Sequence, residues 1–206
     1  MGGAPEFHIF DVSTATIPEE KGSGIALGTS VYGIVVRDQG SRRLAYLVTT
    51  NNSKELIVLD VTNPASIVPL TGAYTNLPGD KDGRSIYVVG NRVYLGLESG
   101  GGADLYVLDA STVLTTTTGL PIIGEVEMGA GVNAIRVSGS LAFLATTLAN
   151  DEFQVWNIRD SASPWGVDTD PIKLPNKLVG GIDYENPYIY AGSQATTPLQ
   201  ILYSAP

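Results

Sequence analysis

One short string returns along this chain at nearly constant intervals. Phe7-His8-Ile9-Phe10-Asp11-Val12-Ser13 is followed by Leu56-Ile57-Val58-Leu59-Asp60-Val61-Thr62 and by Leu105-Tyr106-Val107-Leu108-Asp109-Ala110-Ser111. Looser copies follow at Phe153-Gln154-Val155-Trp156-Asn157-Ile158-Arg159 and Leu199-Gln200-Ile201-Leu202-Tyr203. The Asp position falls at 11, 60, 109, 157 and 203, so the spacings are 49, 49, 48 and 46. A second marker keeps the same beat: Ala45-Tyr46-Leu47, Val93-Tyr94-Leu95, Ala142-Phe143-Leu144 and Ile189-Tyr190-Ala191. Two markers in phase make this a repeat protein, and a period of this size restricts the fold to stacked units.

Each unit divides into four short strands. In one copy Ser85 to Val89 is an apolar, β-branched run closed by the turn dipeptide Gly90-Asn91, and Arg92 to Leu97 follows. Ser99-Gly100-Gly101-Gly102 makes the next turn, Asp104 to Asp109 the third strand and Ile122 to Met128 the fourth. No segment carries the 3.6-residue period of a helix. The third strand is apolar at consecutive positions, which a strand tolerates when both faces are covered. Four-stranded units of this period predict an all-β propeller of antiparallel blades. The predicted blades are 31–80, 81–130, 131–179, and 180–206 completed by a strand from 1–30. Such closure joins the termini and hides two strand edges. The alternative is part of a larger propeller, completed by further blades or by a second chain.

The string Leu56-Ile57-Val58-Leu59-Asp60 followed by Val61-Thr62-Asn63-Pro64 resembles the LVIVD repeat, and Phe7 to Ser13 and Leu105 to Ser111 match it nearly as well. The fourth copy departs at Asn157 and the fifth at Tyr203. The resemblance spans almost the whole chain and implies β-propellers on exported or cell-surface bacterial and archaeal proteins. Some of these resemble pilin-like proteins with an anchoring helix ahead of the propeller, and this sequence contains no such helix.

Composition narrows the partners. The formal net charge is −9, and the 12 Lys and Arg never form a run. Nucleic acid and anionic membrane both call for a basic footprint, so neither is expected. Cysteine is absent, which excludes thiolate nucleophiles and Cys-based zinc sites. No apolar run approaches the ~18 residues of a membrane span, and Met1-Gly2-Gly3-Ala4-Pro5 does not read as a signal peptide.

Candidate sites are few. Asp11, Asp60 and Asp109 end third strands ahead of Ser or Thr, the chemistry of a carboxylate that accepts a backbone N–H just downstream. Tyr46, Tyr94, Phe143 and Tyr190 recur once per unit and read as packing between blades. Aligning the turns that lead into the first strands places Tyr32, Arg84, Asn133 and roughly Gly180 at equivalent points. These residues would ring one mouth of the central channel, where loops on a rigid frame carry ligand contacts. Asp80 and Asp82 form a short D-x-D-G that could share a calcium ion, with Asp168 and Asp170 a weaker pair. No other metal or cofactor is expected. His8 is the only histidine and reads as a strand residue, so a Ser-His pair lacks support. Gly100-Gly101-Gly102 leads from strand to strand and makes no phosphate cradle.

The function expected is therefore a non-catalytic binding or structural module at the cell surface, taking a protein or glycan ligand. Exposure of Trp156 or Trp165 on a concave face would favour a glycan. A carbohydrate-active enzyme is the first alternative. It needs carboxylates that converge in the channel, and only Asp82 and Asp183 lie near the first strands. Self-association that completes blades between chains is the second.

Overall fold

The computed structural model describes residues 5–14, 16–149, 151–159, 178–193 and 198–203. Strand follows strand through all of them. A small hairpin, β1 (Phe10–Asp11) with β2 (Glu19–Glu20), opens the chain. The first blade is β3 (Val31–Gln39), β4 (Arg42–Thr49), β5 (Leu56–Asp60) and β6 (Val68–Pro69), followed by a single 3-10 turn at Thr71–Ala73. The second is β7 (Gly83–Val89), β8 (Arg92–Leu97), β9 (Leu105–Asp109) and β10 (Ile122–Val126). The third contributes β11 (Val132–Ser138), β12 (Leu141–Thr146) and β13 (Phe153–Asn157), and the fourth β14 (Leu178–Glu185), β15 (Tyr188–Ser193) and β16 (Leu199–Tyr203). Within every sheet sequential strands are antiparallel neighbours. The chain is a β-propeller, as the repeat predicts.

The repeat string owes its unbroken apolarity to packing on both sides. In β5 the side chains of Leu56 and Val58 point forward into a cluster with Ile86, Val88, Val93 and Leu95 of the second blade. Ile57 and Leu59 point backward into a cluster with Phe7 and Ile9. The same division holds at the next joint, where Leu105 and Val107 meet Ile135, Ala142, Leu144 and Trp156. It holds again where Phe143 and Phe153 meet Ile182, Ile189 and Ala191. Each fully buried Leu, Val or Ile contributes roughly 1.5–3 kcal/mol, so these joints supply most of the driving force. The recurrent aromatic sits at each joint, as the sequence predicts. Tyr46, Tyr94 and Phe143 are buried against the following blade, while Tyr190 is half-buried. Tyr46 donates its hydroxyl hydrogen to Gln39 at 2.7 Å, and burial pushes its phenol up to about 12.

The Asp that closes the string makes the turn expected of it. Oδ1 of Asp11, Asp60 and Asp109 accepts the backbone N–H two residues on, from Ser13, Thr62 and Ser111, at 2.9, 2.9 and 2.8 Å. Asn157 does the same for Arg159 at 3.0 Å, so the departure from Asp preserves the turn.

The terminal strands pair differently from the expected closure. Phe7 bridges to Ile25, and Phe10 and Asp11 pair with Glu20 and Glu19. The N-terminal segment thus makes the third and fourth strands of a half-blade on the back of the first full blade, where Phe7 packs. It does not join Leu199–Tyr203, which pairs only with β15 among the described residues. The physical reason is local. Glu19 to Ile25 lies close in sequence and offers an edge for pairing at a smaller loop-closure cost than the far end of the chain.

A carboxylate that the repeat string does not include sets the pitch from blade to blade. Glu6, Glu55 and Asp104 each stand at or just before the start of a third strand. Each accepts backbone N–H groups from the loop that leads into the next blade. Glu6 Oε2 takes Leu27 at 2.6 Å and Gly28 at 3.3 Å, and Glu55 Oε2 takes Leu77 at 2.8 Å. Asp104 Oδ2 takes Met128 at 2.8 Å and Ala130 at 3.3 Å. Asp104 also receives Lys81 Nζ on Oδ1 at 2.7 Å, an ion pair whose side chains are 0% and 4% exposed. One carboxylate therefore holds both the loop entering the second blade and the loop leaving it. Breaking a buried pair strands the remaining charge. Lys81→Met should lower unfolding free energy by about 3 kcal/mol, whereas Lys21→Met, at an exposed and solvent-screened pair, should leave the midpoint essentially unchanged. Urea denaturation midpoints of the two variants against the parent check this.

Candidate functional site

The first strand of each blade lines the centre of the propeller, and all four inner strands break register near their starts, β14 between Leu178 and Ile182 and the other three at one equivalent place. The irregularity falls between Val31 and Gly33, between Gly83 and Ser85, and between Val132 and Ala134. The residue that the register skips is Tyr32, Arg84 or Asn133. A bulge re-aims the side chain it carries, so the three residues aligned in the sequence are the ones the bulges turn toward the centre. A side chain at the neighbouring Gly83 would collide with Val48 and the Thr49 carbonyl, which keeps the strand close at this point. Ser85 donates its hydroxyl hydrogen to the Val132 carbonyl at 2.7 Å and ties the second inner strand to the third.

These strands enclose a channel pocket of about 210 Å³, lined by Tyr32, Arg84, Asn133, Arg136, Gly181 and Ile182 among others. All four blades contribute. Tyr32 is half exposed, and the Arg84 guanidinium lies over its ring at 4.8 Å. Arg84 Nη2 donates to Glu98 Oε2 at 2.8 Å, and this hydrogen bond raises the Arg84 pKa. Deeper along the channel Arg136 Nε donates to Asp183 Oδ1 at 3.1 Å, and its guanidinium lies 5.7 Å from the centre of the Tyr87 ring. That hydrogen bond, with a second from the Tyr184 N–H, holds the Asp183 carboxyl below the usual carboxylate range. The channel thus presents an aromatic face, two guanidinium groups in ion pairs and an amide.

The carboxylates with raised pKa lie elsewhere. Glu55 and Asp151, both lifted chiefly by burial, flank the starts of third strands away from the channel lining. Glu55 belongs to the loop clamp, and its Oε1 has no hydrogen-bond partner among the described residues. Asp80 and Asp82 lie in the loop ahead of β7, and the Asp82 carbonyl accepts the Glu98 N–H at 2.9 Å. Among the described residues no three His, Asp or Glu side chains gather closely enough to hold a metal ion. Asp168, Asp170 and Trp165 lie outside the described residues. Trp156 is no exposed platform: it is buried at the joint between second and third blades, with Nε1 donating to Gln154 at 2.8 Å. His8 lies in the N-terminal half-blade with Nδ1 2.7 Å from Glu20, which raises its pKa.

The sequence reading missed the loop clamp. Its signal was present, because Glu6, Glu55, Asp104 and Glu152 fall 49, 49 and 48 residues apart, in phase with the two markers. A mixed Glu and Asp position carries less weight to the eye than an invariant string.

Comparison with solved structures bears on the fold. A chain of the Mitotic Checkpoint Complex superposes with a TM-score of 0.68 at 12% identity, over 97% of this chain and 56% of that one. The computationally designed Ika8 protein gives 0.62 at 12% identity, over 98% and 54%. The β-propeller YCF48 from Cyanidioschyzon merolae gives 0.55 at 14% identity, over 89% and 54%. In each case the chain spans about half the length of its neighbour. No family model and no curated protein matches the sequence. Among the described residues no helix is long and apolar enough to cross a membrane.

The Arg136–Asp183 pair predicts a specific titration. A depressed carboxyl contributes stability above its unfolded value of 3.8 and loses it as the pH falls through the folded value. Arg136→Met should move the Asp183 midpoint upward in a carboxyl NMR titration. Because Asp183 is 77% exposed, the stability loss at pH 7 should stay under ~1 kcal/mol and vanish in acid.

Proposed function

We propose that this chain is a non-catalytic propeller module that binds a protein ligand at the mouth of its central channel. The observation that carries the reading is the trio Tyr32, Arg84 and Asn133, one bulged residue per blade, converging on one pocket over a frame that otherwise repeats. Tyr and Arg are the residues that most often anchor protein interfaces. Here the ring of Tyr32 is exposed, and Arg84 is pre-oriented by Glu98 and by its stacking on that ring. A peptide with a carboxylate and an adjacent aromatic side chain suits this surface. Arg84 would take the acid in a charge-assisted hydrogen bond and Tyr32 would take the ring.

A protein ligand is favoured over a glycan because Trp156, one of the two tryptophans, is committed to the core. The carbohydrate-active alternative draws no support from the carboxylates beside the channel arginines, since neither lines the pocket, Asp183 is engaged by Arg136 and Glu98 is bound to Arg84. A place at the cell surface, and kinship with LVIVD-repeat proteins, belong to this proposal and rest on the repeat string alone. Calcium at Asp80 and Asp82 has no third carboxylate in support among the described residues.

The test is a phage-displayed random peptide library panned on the intact chain, run beside a glycan array. Acidic-aromatic peptides should be enriched, and Tyr32→Ala or Arg84→Ala should weaken each by ~30-fold, the factor for about 2 kcal/mol at an anchor residue. Glycan binding that depends on Tyr32, with no peptide that does, would overturn the reading.

A further inference from the structure

Two arginines break the repeat on either side of one joint. Arg92 opens β8 across from Asp109, where the neighbouring blades place Leu44 across from Asp60 and Leu141 across from Asn157. Arg159 follows β13 at the turn position that Thr62 and Ser111 hold in earlier copies. That turn also exchanges its acid. Asn157 stands where Asp60 and Asp109 stand, and it accepts the same hydrogen bond at 3.0 Å against 2.9 and 2.8 Å. The turn therefore keeps its geometry while its charge changes from negative to positive.

Both arginines line one cleft of about 370 Å³ between the second and third blades. Hairpin length opens it. The β3–β4 hairpin of the first blade is long enough to send Arg37 and Gln39 across to the second blade. There Arg37 Nη1 donates to the Val88 carbonyl at 2.8 Å and Gln39 Nε2 to the Ala110 carbonyl at 2.7 Å. The hairpin of the second blade closes earlier, at Val89 and Arg92, with Val89 in the place of Arg37. The counterparts of Val88 and Ala110 on the third blade, Val137 and Ile158, are left lining an open cleft. It lies at the opposite end of the inner strands from the channel mouth. Arg84 and Asn133 stand near the starts of β7 and β11, and Val89 and Gly139 at their ends.

No carboxylate lines the cleft. Arg42, Arg43, Arg84 and Arg136 each hold an acid, yet among the described residues none comes within ion-pair distance of Arg92 or Arg159. Arg92 passes over Asp109, its cross-strand neighbour, and is half-buried at the cleft. In a chain of net charge −9, two guanidinium groups left without acids on one concave surface mark a place for an anion from outside. We propose that this cleft binds a phosphate group, as the free ion or as a phosphomonoester, with Arg92 and Arg159 as its two forks and the Ser140 hydroxyl as a third donor. A guanidinium presents its N–H groups in a planar fork that matches phosphate oxygens. Two forks balance the roughly −1.5 to −2 charge of a phosphomonoester at neutral pH, where a carboxylate would balance only one. The site is independent of the ligand reading at the channel mouth.

The test is titration of the whole chain with inorganic phosphate at constant ionic strength, followed by NMR of the arginine Nε–H signals. Those of Arg92 and Arg159 should move together and saturate, and that of Arg42 should stay in place. Arg92→Gln and Arg159→Gln should each weaken binding by ~10-fold, the loss of one charge-assisted fork. Acetate, with a single charge, should bind more weakly than phosphate. A sugar phosphate that binds more tightly than inorganic phosphate supports the site with the group on an organic ligand, and equal or weaker binding supports it with the free ion. Arg159→Lys keeps the charge without the fork, and its partial loss gives the same reading should a glutamine variant not fold. No saturable shift at Arg92 and Arg159 would overturn the proposal, as would acetate binding as tight as phosphate, or phosphate binding that both glutamine variants retain in full.

Discussion

Successive blades keep their pitch because a carboxylate, buried at Glu55 and Asp104 and exposed at Glu6, seizes the backbone of the loop between them. Glu6, Glu55 and Asp104 do this at three successive joints, each on the strand that also carries the repeat string. A loop between blades leaves its amides without sheet partners, and an unpaired buried amide costs as much as a lost hydrogen bond. The carboxylate answers that need and fixes where the next inner strand begins. Charge-assisted bonds to backbone N–H are about twice as strong as neutral ones, so a single side chain suffices. Apolar packing between sheets is non-directional by comparison. It holds the blades together, and the clamps decide their register.

That fixed register is what gives the channel its contents. Once each inner strand starts at a set point, the bulge falls at the same height in β3, β7 and β11, and the bulged residue lines the pocket. Tyr32, Arg84 and Asn133 differ while the strands around them barely do. The frame is conserved within the molecule by packing demands, and the variation is confined to positions that packing leaves free. Function on such a frame is written in a few side chains, as it is in loops over other rigid scaffolds. The same regularity governs the ends of the arc. A blade face patterned for cover stays patterned for cover at Leu199 and Ile201, whether or not the chain supplies the next blade.

Much of this was legible in the sequence, for reasons particular to each feature. The repeat string could be read as a doubly covered strand because its four apolar residues are consecutive, and the structure divides them two and two between neighbouring blades. The turn role of Asp11, Asp60 and Asp109 followed from the Ser or Thr two residues on. The ring of Tyr32, Arg84 and Asn133 followed from aligning the turns. The pairing of Phe7–Asp11 did not, because its sequence is that of any third strand and names no partner. Periodicity tells what a strand is, and the nearest free edge decides where it goes. The fate of Trp156 was equally hidden, since its position in the string is one that Leu59 and Leu108 also occupy. The clamp was visible in spacing but mixed in residue type, and the Lys81 that completes it at Asp104 has no counterpart elsewhere to draw attention to it.

Amide hydrogen exchange tests the clamp most directly. Leu77 and Met128 lie in loops outside the ladders, where amides ordinarily exchange fast. If Glu55 and Asp104 fix the blade pitch, both amides should exchange as slowly as those of the adjacent strands β7 and β11. Exchange at the rate of exposed loops would mean that the carboxylates do not hold them, and that sheet packing alone sets the register.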